Sequence, residues 1–481
     1  VNAVAYVYPW DIVGDPAAPE RLASLGVEAV ALAASYHATR AATPHHPAHR
    51  VLDVPHAAFY LPVRASAWGR LVPRSPSWTT PDAYLQASDA LRAAGLQVHA
   101  WTVLTHNSIL GREHPDVVVR NAFGDPYPHA LCPSSADVVD YCRRLVREIL
   151  VVGRPDALIL ESCGPMGYGH QSIHEKTAGA DWTGADGDLL SLCFCSTCAP
   201  RYPAGTRERV RAAIDGVDAG DSPRLPAPDT TTPATSPPGT PENLSPPFTS
   251  SAQERATLTA QEGTTPRGEE RTTAQERATP TAQERATSAA QEQEKARSTA
   301  RERPISAAQQ RPGESERRPS GAAHNSTFSS IAEALGPLAD DVRALRVSLS
   351  ASLRQTLIAA ARETAPDVPI SIHANPDPWA TGAFAALPDG EPGAEVLVAN
   401  CWGDPATDTA RLARLAELCR PGQRVGAYVL GLPPRPADPE VQAELLRAYA
   451  KAGASEFHLY HAGLASPRRL SAMQQALRLL D

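Results

Sequence analysis

The chain of 481 residues is short of several things, and each shortage narrows what it can be. No window approaches the ~20 uninterrupted apolar residues that a membrane-crossing helix requires. The stretch VNAVAYVYPWD carries no cluster of positive charge, no long apolar run and no small-residue cleavage site, so no export signal is read there. Together these predict a cytoplasmic protein without a membrane partner. The formal net charge is −8, with 45 Lys and Arg against 53 Asp and Glu, which leaves no basic footprint for nucleic acid. Only eight residues are cysteine, and in a reducing compartment clustered thiols point to metal binding or catalysis before disulfides. Aromatic residues make up 5% of the chain, so the few that fall at strand ends are informative individually.

Large apolar residues almost vanish between about 215 and 325, where SPRLPAPDTTTPATSPPGTPENLSPP is followed by the near-repeat TAQERATPTAQERATSAAQEQEKA. Such a segment cannot bury enough surface to offset its ordering entropy, and it lacks the apolar seam of a coiled coil. The sequence therefore predicts a disordered low-complexity insertion over 215–325 between two structured blocks, 1–214 and 326–481.

Those two blocks alternate apolar runs with helical spacing. NAVAYVYPW, VEAVALAASY, LQVHAWTVLTH and DALILES precede the insertion; VPISIHANP, EVLVANCWGD, RVGAYVLGLPP and EFHLYHAGLAS follow it. Segments such as PDAYLQASDALRAAG, SADVVDYCRRLVREIL and DPEVQAELLRAYAKAG show apolar residues three and four apart. Continuous apolar strands alternating with amphipathic helices predict a parallel sheet covered on both faces. Eight such strands predict an α/β fold of the (β/α)8 barrel type, with the insertion in its fourth helical region. A doubly wound open sheet is the alternative, but no glycine-rich phosphate turn follows the first strand, where YPWDIVGDP stands instead.

In such a barrel, chemistry is expected at the C-terminal strand ends. There the sequence places Tyr8, Trp10 and Asp11; Tyr36 and His37; Trp101, His106 and Asn107; Glu161; His373, Asn375 and Asp377; Asn400, Trp402 and Asp404; Tyr428; and Tyr460 with His461. Rings that stack on sugar C–H faces beside groups that pair with hydroxyls suit a carbohydrate site. Trp10, Tyr36, His37, Trp101, His106, Asn107, His373 and Trp402 are its candidate substrate contacts. The alternative is that the rings plug the barrel mouth. Glu161 directly follows DALIL, where burial would raise its pKa toward that of a general acid. Glycoside hydrolysis needs a second carboxylate. Asp404 and Asp377 are the candidates by strand position, with Asp11, Glu175 and Asp181 behind them. The loop HQSIHEKT, His170 to Thr177, adds two histidines whose spacing matches no zinc signature.

The segment LCFCSTCAPRY puts Cys193, Cys195 and Cys198 at C-x-C-x-x-C, three thiolates toward a tetrahedral site. Cys132, Cys142, Cys163, Cys401 and Cys419 are available as a fourth, Cys142 and Cys419 lying in helical patterns that bury them as apolar residues. HALCPSSADVVDYC, then a strand ending in Glu161, then CFCSTCAPRY, resembles the order in family 42 β-galactosidases and related glycosidase-like TIM barrels. The resemblance implies a structural zinc with Cys132 as fourth ligand, tying the third and fourth loops together. The chain departs from those enzymes at Leu160, where they carry Asn, and on the seventh strand, where GAYVLGLPP lacks their nucleophilic Glu. YPWDIVGDP, AWTVLTHN, NAFGDPYPHALCPS, LESCGPMGYGH, SLCFCSTC and HANPDPWATG also resemble a group of actinobacterial alanine-rich TIM-barrel proteins, which implies the fold and no particular activity.

The expectation is a glycoside hydrolase-like enzyme acting on a carbohydrate or glycoconjugate, with Glu161 as acid/base. Two alternatives stand beside it: a non-catalytic carbohydrate-binding barrel, and a metal-dependent hydrolase built on His106, His170 and His174.

Overall fold

The computed structural model describes residues 2–169, 176–218 and 328–480. Its centre is a closed parallel sheet of eight strands: β1 Asn2–Val7, β2 Ala29–Tyr36, β3 Gln97–Val103, β4 Ala157–Glu161, β5 Ile370–Asn375, β6 Val396–Cys401, β7 Arg424–Leu430 and β8 Ala454–Tyr460. Each pairs with the next in sequence, and β8 pairs with β1, so the sheet has no edge. All eight residues of β2 are buried, as expected of a strand covered by side chains inside and helices outside. The expected (β/α)8 barrel is thus the observed fold.

Seven helices surround the sheet: α1 Ala18–Ala23, α2 Ala83–Ala93, α3 Ala136–Glu148, α4 Ala339–Thr364, α5 Pro405–Leu418, α6 Pro439–Lys451 and α7 Pro467–Arg478. In α3 the buried Val138, Tyr141, Cys142, Leu145 and Val146 recur at three- and four-residue steps, which lays one apolar stripe on the sheet. The last three helices share one start signal. Asp404, Asp438 and Ser466 cap the first turn with side-chain oxygens, and a proline follows at the first helical position. Among the described residues no helix follows β5. The chain runs from Asn375 to Val396 through a two-residue strand, Ala385–Ala386, that pairs with β5.

The loops after β2, β3 and β4 are long, and the latter two build a second apolar cluster outside the barrel. A hairpin of Val118–Arg120 and Pro126–Leu131 contributes to it, with helices Gly184–Leu190, Thr206–Asp218 and Ile331–Leu335. Its interior holds Val119, Leu189, Phe194, Val210, Ile214 and Leu335. Residues 215–218, assigned by composition to the low-complexity tract, belong to the helix Thr206–Asp218. The rest of that tract, 219–325, lies outside the described residues and is inserted before α4. No helix among the described residues is long and apolar enough to cross a membrane.

Candidate functional site

Glu161 ends β4, and the next residue turns sharply. Ser162 has φ 56°, a left-handed conformation that costs a non-glycine residue ~1–3 kcal/mol and is tolerated where the surroundings over-determine it. They do so here: the Ser162 N–H donates to the Ala383 carbonyl at 2.9 Å, and its own carbonyl accepts from Thr105 Oγ1 at 2.8 Å. The Glu161 side chain is 5% exposed. Trp101 Nε1–H donates to Oε2 at 2.6 Å, and His373 Nδ1 lies 3.2 Å from the same oxygen, off the line of a regular hydrogen bond. Strand pairing explains the second contact, since Ile372 of β5 stands opposite Leu160 of β4.

Burial acts to raise the Glu161 pKa. The neighbouring His373, the Trp101 donor and the charge of His37 outweigh it, and the carboxyl is held below its ordinary range. This corrects the expectation that burial would lift Glu161 toward a general acid. Its anion is stabilised, which suits a base or a nucleophile.

The predicted aromatic residues gather around this carboxylate, but they pack mainly on one another. Trp101 meets Tyr36 and Tyr6 edge-on, with ring centroids 4.7 and 4.9 Å apart. Tyr8 stacks on Trp10 at 4.4 Å. The His37 ring lies between Tyr36 and His106, 4.2 Å from each. Trp402 stacks on Tyr428 at 5.4 Å and tilts against Tyr460 at 4.7 Å. Trp10 and Trp101 are fully buried, whereas Trp402 and Tyr460 are half-buried and form the more open side of the group.

Other predicted residues have local structural tasks. The Asp404 carboxylate caps α5, accepting from Ala406 N and Thr407 N at 3.1 and 3.0 Å, and it is exposed. Asp377 is likewise exposed and accepts from Trp379 N at 2.9 Å within a turn. The first polar residues after a strand are also where turns and helix caps form, and both aspartates have such a local task. Asn107 caps the helix Ser108–Glu113 through Leu110 N at 3.1 Å. Asp181 is exposed in a left-handed turn. His170, His174 and Glu175 lie outside the described residues.

Asp11 differs from the other aspartates. It lines a small cleft with Arg21, Thr43, His45, His46 and Gly463. Its Oδ2 accepts from Tyr8 N at 2.8 Å, and Oδ1 is buried without a hydrogen-bond partner. Burial pushes its pKa up to about 7 against the lowering effects of the Tyr8 N–H and Arg21. Only glycine fits at 463, where a Cβ would stand 1.8 Å from Asp11 Oδ2.

The four cysteines singled out by the resemblance come together. Cys132 Sγ lies 3.6 Å from Cys198 Sγ and 3.7 Å from those of Cys193 and Cys195, and all four sulfurs fall within 4.8 Å of one another. A tetrahedral thiolate site with metal–sulfur bonds of ~2.3 Å implies sulfur separations of about 3.8 Å, so the donor set fits such an ion. Cys132 follows the hairpin after β3 and the triplet lies in the loop after β4, so an ion here would join those two loops. Cys142, Cys163 and Cys401 pack into the barrel core instead.

Three site residues escaped the sequence reading: Tyr6, His458 and Glu456. Tyr6 Oη is 3.0 Å from both His373 Nε2 and His458 Nδ1, and His458 Nε2 is 2.9 Å from Glu456 Oε1. The signal was the alternation in β8, where Glu456, His458 and Tyr460 occupy every second position and therefore face one side.

No known protein-family profile matches the chain, and no sequence among curated proteins matches it. Several solved structures are similar to it. The catalytic domain of β-amylase from Paenibacillus polymyxa is 13% identical, with a TM-score of 0.46 over 99% of this chain and 97% of that one. The β-galactosidase from Bacillus circulans sp. alkalophilus is 9% identical, with a TM-score of 0.47 over 100% of this chain and 56% of that one. The PgaB (BpsB) glycoside hydrolase domain from Bordetella bronchiseptica is 11% identical, with a TM-score of 0.43 over 99% of this chain and 98% of that one. Each of these likenesses is one of chain fold.

Proposed function

We propose that the protein is a glycoside hydrolase-like enzyme acting on a carbohydrate or glycoconjugate, with Glu161 as its reacting carboxylate. The observation that carries this reading is the environment of that residue. A glutamate at the end of β4 is held anionic by an indole N–H and an imidazole on one oxygen, among aromatic rings. An anion poised in this way can attack an anomeric carbon or take a proton from water. Asp377 and Asp404 are tied to turns and take no part in the proposal. The cysteine cluster is a structural zinc site in this reading. Four thiolates leave no position for water, so the ion would supply cross-linking and not catalysis.

A panel of aryl glycosides, assayed with and without a chelator, tests the proposal. Turnover that survives brief chelation and falls by about 10²–10⁴-fold in Glu161→Gln is expected. Retention of more than about a third of the activity in that variant removes Glu161 from the role. The non-catalytic carbohydrate-binding barrel is favoured by one observation, the 5% exposure of Glu161 beneath packed rings. Saturable sugar binding with no turnover on any substrate would select it.

A further inference from the structure

Two hydroxyls reach the four-cysteine cluster from residues that are not among its sulfurs. Ser134 Oγ lies 3.0 Å from Cys198 Sγ, and Thr197 Oγ1 lies 3.1 Å from Cys195 Sγ. Both hydroxyls sit in tight turns that also carry a cysteine of the cluster. The turn holding Ser134 is closed by the Ser135 N–H on the Cys132 carbonyl at 3.0 Å. The turn holding Thr197 is closed by the Cys198 and Ala199 N–H groups on the Cys195 carbonyl, at 3.1 and 2.9 Å. Ser134 belongs to the loop after β3 but meets a sulfur of the loop after β4, so its contact joins the two loops. Arg201 Nη1 lies 3.4 Å from the same Ser134 oxygen. The Arg207 guanidinium stands 5.4 Å from the centre of the Phe194 ring, between Cys193 and Cys195 in sequence.

The direction of these contacts follows from the hydrogens available. A guanidinium only donates, so Ser134 Oγ accepts from Arg201 and its single hydrogen is free for Cys198 Sγ. A thiolate only accepts, so with Cys195 ionised the Thr197 hydrogen turns to its sulfur. Both bonds are then charge-assisted. Such donors answer a need of the site. Four thiolates around a divalent ion leave two negative charges uncompensated, and none of the four cysteines is more than 6% exposed. Buried charge is costly unless it is paired and hydrogen-bonded. The Ser134 hydroxyl, polarised by Arg201, and the Thr197 hydroxyl meet part of that need at two of the four sulfurs.

We propose that Ser134 and Thr197 are positioning residues of the four-cysteine site, which donate to the Cys198 and Cys195 thiolates and so raise the affinity of the site for a thiophilic divalent ion. Ser134 carries the larger share. It is half-buried, has Arg201 behind it and ties the two loops together, whereas Thr197 is exposed and water can take the place of its hydroxyl. The inference rests on the structural zinc reading above and adds to it the groups beyond the four sulfurs that hold the ion.

Zinc affinity of the full chain at fixed pH and salt, measured by competition with a chromophoric chelator, tests the proposal without any turnover. Ser134→Ala is expected to bind zinc about 10–100-fold more weakly than the wild type. Ser134→Thr, which keeps the hydroxyl, should restore most of that loss, and Thr197→Val should lose less than Ser134→Ala. Cobalt substitution supplies a signature that loosened packing does not give. A thiolate that loses a hydrogen-bond donor is more electron-rich, so the sulfur-to-cobalt charge-transfer band should move to lower energy in Ser134→Ala and stay in place in Ser134→Thr. Thr197→Val decides by the same two readouts if Ser134→Ala does not fold. A wild type that binds metal, with variants that match its affinity within about twofold and leave the cobalt band unmoved, overturns this inference and leaves the zinc reading standing. A wild type that takes up neither zinc nor cobalt overturns the zinc reading and this inference with it.

Discussion

The barrel interior and the lobe built from the third and fourth loops solve the problem of burial in opposite ways. The barrel is closed by continuous strand pairing, so its backbone groups are satisfied by the sheet itself. On that frame it tolerates two buried glutamates, two histidines and a tyrosine in its centre. The lobe has a two-stranded hairpin and short helices around a small apolar cluster. There four sulfurs drawn from two loops come together in the interior. The contrast is between a region whose ladder holds polar groups in place and one whose loops a metal at the four cysteines would cross-link.

Removing the proposed cross-link should have the largest effect. Structural zinc sites contribute on the order of 10–16 kcal/mol of apparent binding free energy, which is coupled to folding. Purified protein is expected to hold close to one equivalent of zinc by elemental analysis, and Cys195→Ser to lose it together with thermal stability. Hydrogen exchange should then open the hairpin 118–131 and the helix Gly184–Leu190 before any strand of the barrel. Equal opening in both regions would erase the contrast.

Asp11 tests the barrel flank by pH. Its native pKa of about 7 stands above the ordinary 3.8, so the folded state holds the proton more tightly than the unfolded chain. Stability from that proton is fully present below about pH 4 and is lost as pH rises through about 7. Asp11→Asn, which cannot ionise, should therefore match the wild type in acid and exceed it at pH 8 by roughly 4 kcal/mol at most, at ~1.4 kcal/mol per unit. Denaturant melts at the two pH values measure this, and equal differences at both would contradict it.

Gly426→Ala probes the barrel interior by crowding. The new methyl would sit 3.0 Å from the His458 ring and 3.1 Å from Val398 Cγ2, both held in a packed core. Overpacking of this kind costs about 1–3 kcal/mol. An unchanged unfolding midpoint would show that the His458 ring can shift. The smallest effect is expected at Asp404→Ala, where losing a helix cap costs about 1 kcal/mol. Turnover that depends on Glu161 should remain, and its loss would return Asp404 to the chemistry.

Much of the barrel was legible in the chain because its signals are local. A strand buried on both faces is a run of apolar residues, and the capping residues Asp404, Asp438 and Ser466 each precede a proline and a helix. The same locality leaves the role of Asp404 undivided in the sequence, since a cap and a catalytic acid both follow a strand. Glu161 was legible as a carboxylate ending an apolar strand. Its charge state was not, because Trp101 and His373 are 60 and 212 positions away in sequence and act only once β3, β4 and β5 lie side by side. Cys132 was identified by resemblance; spacing alone left five cysteines open.

The sequence by itself determined the period of the elements, and with it a sheet covered on both faces and closed by eight strands. Which side chains inside that sheet touch was decided by register. Tyr6, His373, His458 and Glu161 come from four strands spread over 453 residues, and no local pattern contains their distances. Register rests on strand pairing around the whole barrel, a property of the closed sheet and of no single strand. The tertiary structure alone therefore decided that Glu161 is an anion gripped by an indole and an imidazole, where local burial by itself would have made it an acid.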